Sequence, residues 1–393
     1  MHIRRVAVVV SIFSGALAAY ACSSDPTESP PPDDGSSGGT SGTSGTSGGT
    51  SGTSGTSGGT SGTSGTSGSS GDIDGGTDGG DAGPAPCTGN PLLPDGGTGT
   101  GTSLDAGVTS QIVTGVGTFF DGPQWVTGAG GNGFLVYSEF SNEEIRRVAP
   151  DGGNPQVLRT AGLSNNLGPI GNAFRNGVIY TTASRKNGPQ AQAILLTYPD
   201  GGAAGSIPVA NGVDPNDLVI GKNGNIYYTD PQYQTDGNTR RVYQTQADGG
   251  GAAAFATFNA GERPNGIALS PDGTKLYVSF TVPKRVDVYT VPANGVIAAA
   301  GTQLIAAANL TDSPDGLAVD TAGNIYVAEA NATAATNSGF VEVFKPDGSK
   351  WGSIPFPTSR PTGVAFGGAD DKSLFVTTET GVARFTGRCI GVR

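Results

Sequence analysis

Between residues 110 and 390, apolar positions fall in short runs rich in Val, Ile, Tyr and Phe, broken by Asn-Gly, Asp-Gly and Ala-Gly pairs. Short runs bounded by such turn pairs mark half-buried strands and hairpins. Lys222-Asn223-Gly224-Asn225 and Pro271-Asp272-Gly273-Thr274 have the composition of hairpin turns. Arg241-Val242-Tyr243 and Phe340-Val341-Glu342-Val343-Phe344 read as later strands of the same units, each trailed by an Asp-Gly turn. No segment sustains a helical apolar period, so the pattern predicts a single all-β domain.

One phrase returns along this domain. Pro215-Asn216-Asp217-Leu218-Val219-Ile220 is echoed by Pro264-Asn265-Gly266-Ile267-Ala268-Leu269, then Pro314-Asp315-Gly316-Leu317-Ala318-Val319, then Pro361-Thr362-Gly363-Val364-Ala365-Phe366. Each copy precedes a Gly turn or a short gap and a second apolar run, such as Ile226-Tyr227-Tyr228 or Ile325-Tyr326-Val327. Asp121 lies two periods before Asn216, and a degenerate copy from Pro169 to Ala173 fills the gap. A period of about 50 residues built from short β-runs implies propeller blades, and six is the count. The last copy ends early, because Gly381 to Phe385 leaves no room for an outer strand. Gln111 to Gly115 is expected to supply it, closing the ring and removing an exposed sheet edge.

The two ends of the chain set the expected compartment. Arg4 and Arg5 precede an apolar run from Val6 to Phe13 and small residues up to Ala21. That order predicts a signal peptide over residues 1–21, too short to span a bilayer. Cys22, directly after Ala19-Tyr20-Ala21, resembles the acylated first residue of a bacterial lipoprotein, although Ala19 stands where such sites favour Leu. Plain secretion with a spare thiol is the alternative. Residues 35–71 are all Gly, Ser or Thr. With nothing to bury, residues 22–86 are expected to form a disordered tether reaching roughly 45 Å root-mean-square. Residues 87–393 then form the propeller, and Cys87 and Cys389 sit at its two ends. In an oxidising compartment that placement predicts a disulfide, the alternative being two free thiols. Together these features predict export to a bacterial cell envelope, as an outer-membrane lipoprotein facing the periplasm or the cell surface.

Charge and histidine content exclude several functions. The net charge is −11, and no basic cluster appears. This argues against nucleic acid and against an electrostatic membrane footprint, leaving the lipid anchor as the sole expected membrane contact. The single histidine is His2, inside the expected signal peptide. A mature chain without His holds no Ser-His-Asp triad, Cys-His pair or His-ligated zinc. Any hydrolysis has to rest on carboxylates and a metal, acting on a small-molecule substrate in a monomer.

Several phrases, in order, carry a family resemblance: Asp121-Gly122-Pro123-Gln124-Trp125, Pro215-Asn216-Asp217, Thr229-Asp230-Pro231-Gln232-Tyr233, Pro264-Asn265-Gly266, Ser313-Pro314-Asp315-Gly316 and Gly363-Val364-Ala365-Phe366-Gly367-Gly368. Through them residues 116–388 resemble the gluconolactonase and regucalcin (senescence marker protein) family of six-bladed propeller lactonases. Diisopropyl fluorophosphatase is a more distant relative. The resemblance implies a divalent cation, usually Ca²⁺, at the channel mouth, with Asp121, Asn216, Asn265 and Asp315 as ligands. It also implies lactone hydrolysis, with Asp315 as base and Asn216 orienting the substrate.

The residue types agree with that set. Two carboxylates and two amide oxygens are hard ligands suited to Ca²⁺, although Asn and Asp also favour turn positions before strands for local reasons. The chain departs from the family pattern at three places. Asp121 replaces a Glu, Asp214 stands where some members carry a substrate-gripping Arg, and Ile170-Gly171-Asn172 replaces Pro-Asn-Gly. A second reading therefore stays open, a non-catalytic envelope-anchored propeller that binds a ligand or partner around a structural ion.

Overall fold

The computed structural model describes residues 89–92, 109–114, 119–128, 133–160, 167–185, 192–209, 213–233, 239–246, 248–330, 338–386 and 391. Cys22, Cys87 and Cys389, and with them the expected anchor and disulfide, lie outside the described residues. Six four-stranded antiparallel sheets make up the domain, the six-bladed propeller expected from the repeat. Blades are numbered here by chain order of their innermost strands: Phe120–Thr127, Leu167–Arg175, Leu218–Ile220, Arg263–Leu269, Ser313–Val319 and Pro361–Gly367. Blades 1 to 5 each run from inside to outside in sequence order. Blade 6 takes its outer strand, Thr109–Thr114, from the N-terminal side, paired antiparallel with Gly381–Thr386. The early end of the last repeat is thus completed as the sequence predicts.

Hydrophobic clusters lie between neighbouring blades rather than in one central core. Trp125 of blade 1 stacks on Phe375 of blade 6 at 5.6 Å between ring centroids, locking the closing joint. Between blades 5 and 6, Tyr326 packs edge-on against Phe366 at 5.0 Å. Aromatic contacts of both kinds add to the area term and fix the angle between sheets.

The inner strands share one irregularity. In blade 4, Pro264 faces Phe280 while Ile267 faces Val278, so three steps on the inner strand oppose two on its neighbour. The same one-residue bulge recurs at Asp121/Gln124, Pro169/Asn172, Pro314/Leu317 and, shifted slightly, at Pro361/Gly363. A bulge bends the strand and redirects a side chain. Pro, which cannot donate to the ladder, is tolerated there. This is the physical meaning of the recurring Pro-x-Gly phrase.

Blade 5 buries two carboxyl groups in its interior. Glu329 and Glu342 are both 0% exposed. Glu329 accepts the backbone N–H of Asp312, while Glu342 takes Lys350 and the Thr311 hydroxyl. Their other oxygens, Glu329 Oε1 and Glu342 Oε2, have no further donor, and a proton held on Glu329 would satisfy both. Burial, then the adjoining Glu342, pushes Glu329 up to about 10. The native chain keeps this proton from about pH 4.5, where the unfolded chain releases it, to about pH 10. Through that window the unfolded state binds fewer protons, so stability falls as pH rises, by up to about 1.4 kcal/mol per pH unit. Glu329→Gln is expected to flatten this slope in urea-unfolding midpoints measured across the window. Parallel slopes for the two proteins would show that Glu329 does not hold that proton.

Candidate functional site

At the start of each inner strand, in a bulge in five blades and just before the strand in blade 3, one residue per blade occupies the equivalent position of the repeat. In chain order these are Asp121, Ile170, Asn216, Asn265, Asp315 and Thr362. Five of them line one cavity of about 420 Å³, and Thr362 does not. All four residues expected as cation ligands are among the five, contributed by blades 1, 3, 4 and 5. Asp121, Asn216 and Asn265 are buried, and Asp315 is half-buried. Ile170 leaves blade 2 without a polar group at the repeat position, although Ser184 of its second strand lines the same cavity.

The residue after each of these forms a second layer. It is Gly122, Gly171, Asp217, Gly266, Gly316 and Gly363. In this layer neighbouring backbones nearly touch. A Cβ on Gly266 would stand 2.3 Å from the carbonyl oxygen of Asp315, and one on Gly122 would stand 2.1 Å from that of Ile170. Only glycine fits so close an approach. The collar separates the upper cavity from a second one, of about 250 Å³, that opens along the inner strands and also contacts Asp121.

Asp217 is the exception in the collar. Its carboxylate accepts the N–H of Leu218 at 2.9 Å and, across to blade 4, that of Ile267 at 3.1 Å. Burial, opposed by those two N–H groups, raises it to about 7. The sequence signal is an Asp where the five other copies carry Gly, masked by its place in the Pro-Asn-Asp phrase.

Three carboxyl groups, Asp121 and Asp315 on the cavity and Asp217 in the collar, therefore influence one another near the axis. Burial, and in smaller part the charge of Asp217, lifts Asp121 to about 8 against the pull of the Gly122 N–H. Asp315 is raised well above the ordinary carboxylate range by burial, then by Asp121 and Asp217, with a hydrogen bond from Asn265 acting the other way. Like charges this close resist joint ionisation, and a bound cation removes that conflict. The donor set, two carboxylates and two amides on a shared cavity, fits a hard divalent ion with room for waters. Among the described residues no group of three or more His, Cys, Asp or Glu side chains forms a metal cluster, so the amides are essential to the set.

Hydroxyl groups on the second strands hold these positions in place, and sequence reasoning missed them. Thr229 in blade 3 accepts the N–H of Asp217 at 3.1 Å and donates to the carbonyl of Asn265 in blade 4 at 2.6 Å. Ser279 in blade 4 accepts from Gly266 at 2.8 Å and donates to the carbonyl of Asp315 in blade 5 at 2.6 Å. Thr182 does the same between Gly171 and Asn216. Each of these side chains staples the site residue of the next blade. Small hydroxyl residues after an aromatic were visible in Tyr228-Thr229 and in Tyr277-Val278-Ser279, but nothing in one sequence showed where they pointed.

The cavity wall is mixed. Phe119, Phe140, Ile170, Pro231 and Ala330 supply its apolar part, and among the described residues none of the lining side chains is cationic. Asp214, at the position where an Arg was the family expectation, is 1% exposed. It accepts a hydrogen bond from Gln192 at 3.1 Å, and its backbone N–H donates to Asp230 at 3.0 Å. It ties blade 2 to blade 3.

Comparison with known proteins agrees with the propeller fold. The family described as the SMP-30/Gluconolactonase/LRE-like region matches residues 120–380. A gluconolactonase from Zymomonas mobilis is 28% identical over 323 residues, covering 73% of this chain and 84% of that protein. A gluconolactonase structure from Xanthomonas campestris superposes with a TM-score of 0.57 at 23% identity, covering 71% of this chain and 89% of its own. A regucalcin from Agrobacterium tumefaciens, described as a calcium-binding protein, superposes with a TM-score of 0.55 at 18% identity, covering 70% and 92%. With the family match spanning residues 120–380, the chain belongs to the SMP-30/gluconolactonase/LRE-like family.

Proposed function

We propose that this chain is a metal-dependent hydrolase that opens a sugar lactone or a related ester at the upper channel cavity. Asp121, Asn216, Asn265 and Asp315 would hold calcium or another divalent cation. The observation that carries this reading is the convergence of these four oxygen-bearing side chains, from four blades, around mutually repelling carboxyl groups. Relatives named gluconolactonase and pentonolactonase support the substrate class.

When bound, the cation supplies a Lewis acid for the lactone carbonyl. Asp315 takes the proton of the attacking water as the new carbon–oxygen bond forms. It returns that proton to the ring oxygen as the ring carbon–oxygen bond breaks, so the reaction needs no other proton donor. Asn216 orients the substrate, and Asp121, buried at the floor, balances cation charge. The Ser and Thr staples keep the four side chains in register, the pre-organisation on which such a site depends.

The absence of a cationic wall residue among the described residues, with Asp214 committed to Gln192, favours a second reading, a binding propeller with a structural ion. Calcium-dependent melting bears on the ion itself. Adding calcium to chelator-treated protein is expected to raise Tm, because a ligand that binds only the native state stabilises it. An unchanged Tm at millimolar calcium would remove the cation from the account. We also propose the lipid anchor at Cys22, the tether over residues 22–86 and the Cys87–Cys389 disulfide, on the sequence features given above.

A further inference from the structure

Asn265 is held from both ends by one short segment of the preceding blade. Thr229 donates to its backbone carbonyl at 2.6 Å. Four residues later, Tyr233 places its hydroxyl oxygen 3.1 Å from the Asn265 amide nitrogen. Between them Gln232 adopts a left-handed backbone, φ 51°, and its amide nitrogen bonds Asp230 at 3.3 Å. A non-glycine residue in that region costs free energy and persists only where its surroundings enforce it. Here the turn is what swings Tyr233 over the neighbouring blade. The Arg263 guanidinium then covers its ring, 5.0 Å from the centroid.

The protons of this cluster can be assigned. The Asn265 nitrogen also lies 3.0 Å from Thr281 Oγ1, and Thr281 donates to the Pro314 carbonyl at 3.0 Å. With its one hydrogen used there, Thr281 accepts from the Tyr233 hydroxyl at 2.7 Å. Tyr233 and Thr281 thus both present oxygen lone pairs to the amide nitrogen, as does the Asp315 carboxylate. With both hydroxyl hydrogens engaged, on Thr281 and on the Pro314 carbonyl, that nitrogen meets lone pairs, and reversing the amide would require breaking one of those bonds. The oxygen is left as the atom Asn265 offers elsewhere.

We infer that Tyr233 and Thr281 form a positioning clamp that fixes the polarity of the Asn265 amide and thereby sets the cation affinity of the channel site. This rests on the cation reading above. The clamp also reaches Pro314, next to Asp315, so it spans three blades at the cavity wall. It assigns a task to the Thr-Asp-Pro-Gln-Tyr segment, which the proposed chemistry leaves unused. Tyr233 and Thr281 act through Asn265 and are not catalytic residues in this account.

The test is calorimetric titration of the intact protein with calcium, alongside lactone kinetics. Tyr233→Phe and Thr281→Val are each expected to weaken calcium binding by about 10-fold, the usual scale for partners that orient metal ligands. Thr281→Ser, which keeps the hydroxyl, is expected to bind near the wild-type level. At saturating calcium, kcat should recover in both weakened variants with the lactone KM unchanged, a pattern that a substrate contact would not give. On an Asn265→Ala background, Tyr233→Phe should cost nothing further, since its effect passes through that side chain. Wild-type calcium affinity in both variants overturns the clamp while leaving the cation site intact. A wild-type protein that takes up no calcium overturns the site and the clamp together.

Discussion

Asp315→Ala is expected to abolish lactone hydrolysis, lowering kcat/KM by at least about 1,000-fold, because it removes a proposed base and a cation ligand at once. Asn265→Ala deletes a neutral ligand only. It should leave weaker activity that added calcium partly restores. The contrast separates the two roles: a general base cannot be replaced by raising the metal concentration, whereas a lost ligand can be offset by mass action. Asp315 is half-buried and carries no ion pair among the described residues. Its truncation should accordingly leave the melting temperature of the chelated protein unchanged or higher, since a crowded carboxyl group is relieved. Full activity in Asp315→Ala would remove it from the chemistry.

The second large effect falls on the collar. Gly122→Ala places a methyl group 2.1 Å from the Ile170 carbonyl oxygen, in a backbone with φ 54°. Left-handed strain and forced displacement of a neighbouring strand each cost about 1–3 kcal/mol. A total near 4 kcal/mol is expected in urea unfolding, together with loss of the adjoining Asp121 geometry. Gly177 provides the control. It has φ 76° but open space around its Cβ position, so Gly177→Ala should show only the backbone strain, about 1 kcal/mol. Equal losses at the two positions would mean that the collar is not closely packed.

The blades, and the four positions that meet on one cavity, were legible because the same physics recurs from blade to blade. An inner strand must bulge to aim a residue at the axis, Pro tolerates the bulge, and Gly lets adjacent backbones approach. Repetition turned these weak local cues into a period. What repetition hid was the exception. Asp217 looked like one more member of an Asn-Asp phrase, yet it is the sole charged side chain in a layer of glycines and shapes the titration of both Asp121 and Asp315. The hydroxyl staples were hidden for another reason. Thr229 and Ser279 act on the following blade, and only strand register shows that their neighbours in space lie about 36 residues away. Glu329 and Glu342 read as ordinary polar positions in strands, since alternation does not reveal that two carboxyls on adjacent strands are buried against each other. In the sequence Asp214 reads only as a missing Arg, whereas the structure gives it a partner in Gln192.

Whether a cation at the channel mouth drives lactone opening is decided by one assay. Hydrolysis of a sugar δ-lactone by residues 87–393 is followed before chelation, after chelation and after calcium is restored, with spontaneous opening subtracted. The site described here predicts enzymatic turnover that falls to the spontaneous rate on chelation and returns with calcium. Turnover that persists unchanged in chelator would contradict it.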